Sequence, residues 1–147
     1  MELLAKEPFT QRTALISIAD YDMDFAALDF KPEYVLQIAF NDVDNDVFID
    51  ELGKNSTAEE KAYLEEKYHM LTEKQAKQIA EFFLEVADKV EMLICQCEYG
   101  QSRSAAIAAA ILEYRVGKGI LIFAHENYYP NKRVFHKVLS QLRLSKE

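Results

Sequence analysis

The feature that constrains this chain most is the stretch Cys95-Gln-Cys-Glu-Tyr-Gly-Gln-Ser-Arg-Ser104, taken with what stands on either side of it. The apolar run Met92-Leu-Ile-Cys95 leads in, and an alanine-rich run from Ala105 to Leu112 leads out. A short apolar run, a loop centred on Gly100 and a run of strong helix formers read as strand, tight loop, helix. A loop that feeds a helix N-terminus turns its backbone N–H groups into one cavity, where the helix dipole adds a positive field. Such a cavity suits a doubly charged phosphate. The same field lowers the pKa of a cysteine placed there and leaves it a thiolate nucleophile at neutral pH. An arginine across the loop can take two phosphoryl oxygens with its planar fork. Cys97 and Arg103 stand where those roles fall. Between them Glu98, Tyr99, Gly100, Gln101 and Ser102 would mainly lend backbone N–H groups.

Cys97-Glu-Tyr-Gly-Gln-Ser-Arg-Ser104 is similar to the signature loop of the protein tyrosine phosphatase superfamily, and most resembles its small dual-specificity branch. The resemblance implies that Cys97 attacks phosphorus to form a phosphocysteine and that Arg103 binds the phosphoryl oxygens. It also implies that Ser104 stabilises the thiolate when it leaves. That family usually has His directly before the nucleophile, and this chain has Gln96. Such a His helps order the loop and lower the thiol pKa, so a weakened rather than absent activation is expected. Neither Gly-x4-Gly-Lys-Ser/Thr nor Gly-x-Gly-x-x-Gly occurs, which argues against a nucleotide cofactor of either common kind. No cofactor is expected.

A phosphatase of this type needs an acid to protonate the leaving oxygen and later a base for the attacking water, on a loop facing the cysteine. The segment Phe40-Asn-Asp-Val-Asp-Asn-Asp46, directly after a predicted strand, resembles the family's acid loop. The best match puts the role on Asp42, and Asp44 is the second choice. Asp42 lies 55 residues before Cys97, longer than is usual in the small members of the family. The excess is assigned to the charged 50–70 segment, read as an inserted helix and loop. A calcium loop is unlike this segment, because an EF-hand frame starting at Asp42 lacks both Gly at its sixth position and Glu at its twelfth. Tyr129-Pro-Asn-Lys-Arg-Val-Phe135 is similar to the family's last helix start, and Lys132 and Arg133 within it read as surface residues. His69, His125 and His136 have no metal-ligand spacing with one another or with the cysteines, so no metal site is expected.

The rest of the chain alternates between strand and helix patterns. Thr13 to Ile18 and Tyr34 to Phe40 have strand length and β-rich composition. Met23 to Leu28 between them is a short helical candidate, and Pro32 marks the turn that follows. Thr72-Glu-Lys-Gln75 resembles a capping box, after which Ala76, Ile79, Ala80, Phe83, Val86, Ala87 and Val90 recur at helical spacing. Thr57-Ala-Glu-Glu60 offers a second, weaker helix start, and Gly117 a C-cap for the helix after the signature loop. Strands alternating with helices predict an α/β sandwich with a central, largely parallel sheet, as the resemblance also implies. With 147 residues and 50% hydrophobic content, one phosphatase-like domain over 1–147 is expected.

The chain's two cysteines, at 95 and 97, are too close for an unstrained bridge along a strand, and Cys95 reads as a core residue. No secretory signal and no long apolar span are visible, so a cytoplasmic protein is expected, without a membrane partner. The net charge of −8 divides unevenly, −13 over residues 1–100 and +5 over 101–147. An acidic chain is a poor candidate for nucleic-acid binding, while its basic last third holds the phosphate loop. Glu98 and the lack of extra loop lysines turn the reading away from polyphosphorylated inositol lipids. The expected partner is a protein bearing phosphotyrosine or phosphoserine/threonine, or a small phosphomonoester. Two rivals stand beside this reading: a catalytically weak phosphate-binding module, and another loop-cysteine thiol enzyme such as a sulfur transferase or arsenate reductase.

Overall fold

Seven consecutive buried residues, Thr13-Ala-Leu-Ile-Ser-Ile-Ala, form β1 (Thr13–Ala19). A strand buried on both faces is what a parallel sheet covered by helices requires. The computed structural model describes residues 12–145. In it β1 lies between β2 (Tyr34–Ala39) and β3 (Met92–Gln96), and both neighbours run parallel to it, in the order β2-β1-β3. The register sets Ile16 opposite Leu36 on one side and Cys95 on the other. With Ile18, Ile38 and Cys97 these residues belong to, or pack against, the main core cluster.

Helices complete the α/β sandwich: α1 (Asp46–Leu52), α2 (Ala58–Lys67), α3 (Glu73–Val86), α4 (Arg103–Val116), α5 (Ile120–Phe123) and α6 (Lys132–Ser145). Both expected capping boxes form. Thr57 Oγ1 accepts from the Glu60 N–H and the Glu60 carboxylate accepts from the Thr57 N–H, and Thr72 and Gln75 do the same for α3. From α3, Ala76, Ile79, Ala80 and Phe83 enter the main core beside Ile107 and Ala110 of α4 and Val134, Val138 and Leu142 of α6. Each large apolar side chain buried this way contributes about 2 kcal/mol. Gly117 ends α4 in the left-handed conformation, φ 69° and ψ 27°, which a Cβ would disfavour.

Two expectations are corrected. Met23–Leu28 forms no helix: a turn around Tyr21-Asp22 puts Asp22 at φ 63°, and residues 24–28 have no regular structure. Met23 and Leu28 are exposed, so the segment has no apolar face to bury, and so short a helix is unstable without one. Arg133 is not a surface residue but 3% exposed in the core. It donates from Nη2 to the Glu65 carboxylate (2.6 Å) and to the Leu71 carbonyl (2.8 Å), and from Nη1 to Asn45 Oδ1 (2.8 Å). Its guanidinium also lies over the Phe48 ring, 5.7 Å from the centroid. The side chain thereby ties the α1–α2 insertion, whose small core is Phe48, Leu64 and Met70, to the C-terminal helix. Lys132 is exposed, as expected.

Arg133→Met should orphan the Leu71 carbonyl and Asn45 and cost about 3 kcal/mol. Thermal unfolding checks this: the expected fall in Tm is roughly 6 to 12 °C for a chain of this size.

Candidate active site

Because the three strands are parallel, their carboxyl ends open on one edge of the sheet, where ligands of such folds bind. Asp20 directly follows β1, Asp42 lies three residues beyond β2, and Cys97 directly follows β3. The loop from Cys97 then turns back into α4. Its turn needs Gly100, which is buried at φ 67° where an L side chain is strained.

Cys97 is buried at the start of this loop, and its Sγ lies 3.1 Å from Ser104 Oγ and 3.4 Å from the Ser104 backbone nitrogen, which donates to it. Burial by itself opposes ionisation of the thiol. The hydrogen bonds from the Ser104 hydroxyl and backbone and from the Gly100 backbone, with the Arg103 charge, outweigh it and lower the Cys97 pKa. Two residues away in β3, Cys95 lacks such donors, and burial pushes its thiol up to about 12. Both cysteines are free. One face of one strand thus carries an activated thiol and an inert one.

Arg103 opens α4, and only 5% of its side chain is exposed. Nη1 makes a 2.7 Å hydrogen bond to the Phe40 carbonyl and a 2.7 Å ion pair with Asp20 Oδ1. Nε is buried and has no partner among the described residues. A buried guanidinium N–H without an acceptor costs free energy that an incoming oxyanion would recover. Ser102 caps nothing with its side chain, although it holds the N-cap position of α4. Its Oγ instead donates to Asp42 Oδ1 at 2.8 Å. No side chain of the cap residue competes with an anion at that helix end.

Asp42 and Asp44, neighbours in one loop, go to different tasks. Asp42 Oδ1 accepts from Ser102 Oγ and from Asn131 Nδ2 (2.9 Å), which brings the carboxyl group to the loop between Cys97 and α4. Asp44 is turned to the start of α6, where Oδ2 accepts from the Lys132 N–H (2.9 Å) and Oδ1 from the Arg133 N–H (3.1 Å). Asp44 therefore acts as a helix cap, and Asp42 is the carboxylate the fold delivers to the loop. Glu98, Tyr99 and Gln101 expose their side chains, Tyr99 to 78%. A cavity of about 330 Å³ opens beside Cys97, with Asp20, Asp24, Glu98 and Gln96 on its walls.

Three contributors went unread in the sequence: Asp20, the Phe40 carbonyl and Asn131. Asn131 is buried, holds Asp42 with Nδ2, accepts from the Val134 N–H, and its own N–H donates to the Ser102 carbonyl. A charged residue closing a strand that holds no other charge was the available signal for Asp20. Nothing in the sequence marks a backbone carbonyl. Compared with protein-family models, curated proteins and solved structures, the chain matches none.

The contrast between the thiols is testable by alkylation. Iodoacetamide should modify Cys97 with a pH midpoint below the ordinary thiol value of about 8.5, because a lowered pKa keeps the thiolate present at lower pH. Cys95 should stay unmodified in the folded protein. Ser104→Ala removes the hydroxyl donor and should move the Cys97 midpoint upward, as read by mass spectrometry of timed reactions.

Proposed function

We propose that this chain is a cysteine-dependent phosphomonoester hydrolase that works through a phosphocysteine on phosphotyrosine or phosphoserine/threonine of a protein. The observation that carries the reading is the buried Nε of Arg103, without a partner among the described residues and next in sequence to Ser104, which binds a thiol of lowered pKa. That is a donor waiting for an oxyanion beside a nucleophile. The free state of both cysteines supports the cytoplasm, a reducing compartment, as its place. Among the described residues no helix is long and apolar enough to cross a membrane.

In this reading the phosphoryl group sits at the α4 N-terminus, with two oxygens on the Arg103 fork. Cys97 Sγ attacks phosphorus, the P–O bond to the leaving group breaks, and Asp42 gives its proton to the departing oxygen. Asp42 then takes a proton from water as that water attacks phosphorus. The S–P bond breaks, phosphate leaves, and the Ser104 hydroxyl holds the regenerated thiolate. Gln96 supplies no positive charge before the nucleophile, so the thiol depends on Ser104, Gly100 and Arg103 for its activation.

Hydrolysis of p-nitrophenyl phosphate across pH 5 to 8 tests the proposal. Wild-type turnover should vanish in Cys97→Ser, and Asp42→Asn should lower kcat by about 100-fold, as for a lost general acid. On the acid side the rate should fall as the Cys97 thiolate takes up its proton. No turnover with vanadate still bound would leave a phosphate-binding module in its place, and activity that survives Cys97→Ser would overturn the reading.

A further inference from the structure

Asp20 has no part in the reaction just described, yet it makes the shortest ion pair to the one arginine of the loop. Its carboxylate is 44% exposed where it pairs with a guanidinium that is nearly all buried. A guanidinium offers five N–H donors in a fixed plane, and where they point depends on which are already taken. Here Nη1 is taken twice, by Phe40 O and by Asp20 Oδ1, each at 2.7 Å. Both acceptors thus lie on Nη1, one through a hydrogen bond and the other through an ion pair. What remains is the opposite edge, Nε with Nη2, and Nε is buried with no partner among the described residues. That edge is the one geometrically suited to receive two oxygens of one phosphoryl group.

We infer that Asp20 is a positioning residue, one that fixes the Arg103 plane so that its Nε–Nη2 edge meets the phosphoryl oxygens. The inference rests on the hydrolase reading for its consequence and on the geometry of Arg103 for its cause. Phe40 O and the Phe40 ring hold the guanidinium from the β2 side. Asp20, at the end of the neighbouring strand, fixes it from a second side.

Asp20 also places a negative charge near the incoming phosphate, and this sets the pattern of effects. Repulsion weakens binding of the ground-state dianion, whereas orientation of the fork matters most when phosphorus is five-coordinate. Removing Asp20 therefore affects the two states differently. A residue that served only to hold the loop together would weaken both alike.

The experiment compares wild type, Asp20→Ala and Asp20→Glu, with far-UV circular dichroism confirming that each is folded. In p-nitrophenyl phosphate hydrolysis, Asp20→Ala should lower kcat about 10- to 100-fold, the scale of a misplaced catalytic group. KM and inhibition by inorganic phosphate should move by less than about threefold, because lost repulsion offsets lost orientation. Inhibition by vanadate, which takes up a five-coordinate geometry, should weaken by a factor close to that of kcat. Asp20→Glu, which keeps the acceptor on a longer arm, should recover part of both. Rate and vanadate inhibition within twofold of wild type in Asp20→Ala would overturn the inference, as would equal weakening of phosphate and vanadate. If wild type hydrolyses nothing yet binds vanadate, the hydrolase reading falls, and Asp20 is judged on vanadate affinity measured by calorimetry. Wild type that binds no vanadate would remove both.

Discussion

A guanidinium taken out of water must find acceptors for its donors, and Arg103 is the place where this fold meets that demand. The carbonyl at the end of β2 supplies one acceptor, and the carboxylate at the end of β1 supplies another. Arg103 itself opens the helix that follows β3. One side chain thus draws the carboxyl ends of all three strands together, and the parallel sheet is the only arrangement of these strands that puts those ends on one side. Nε has no acceptor among the described residues, which makes it the donor on which the proposed phosphoryl binding depends.

A second charged group works in the opposite sense. Every polar arm of Arg133 is spent within the protein, on Glu65, Leu71 and Asn45. Arg103 retains an open edge and Arg133 does not, although both are almost wholly buried. This difference, more than burial or charge, separates the arginine proposed to meet the substrate from one that braces the fold. It also explains why Asp42 and Asp44 diverge. Asp44 receives the N–H groups at the start of α6, next to Arg133, while Asp42 meets Ser102 in the loop before α4.

Most of the architecture was legible because it rests on local rules. The strand patterns, two capping boxes and the Gly117 cap all depend on residues within a few positions of each other, and all formed. The irregular 20–33 crossing was misread at Met23–Leu28, where mild helix propensity had no buried face to support it. Arg133 was misread because position in a helix does not tell which carbonyls await on the other side of the core. The loop's strand-to-helix setting around Cys97 and Arg103 was legible locally, and the Ser104 role and the preference for Asp42 over Asp44 rested on the resemblance. The separate partners of Asp42 and Asp44, and the places of Asp20 and Asn131, depend on contacts that span 60 to 89 residues, which no local pattern encodes.

The hold that Asn131 and Arg133 exert on the 42–45 segment carries a consequence for how the molecule is made. The chain carries β3, the Cys97 loop and α4 before residues 131–145. Until α6 is in place, the segment bearing Asp42 lacks the anchor that Asn131 provides. The carboxylate comes to rest against Ser102 only once the last helix has docked. Asp42 is therefore synthesised before Cys97 yet anchored only after it, and the two come together when α6 docks.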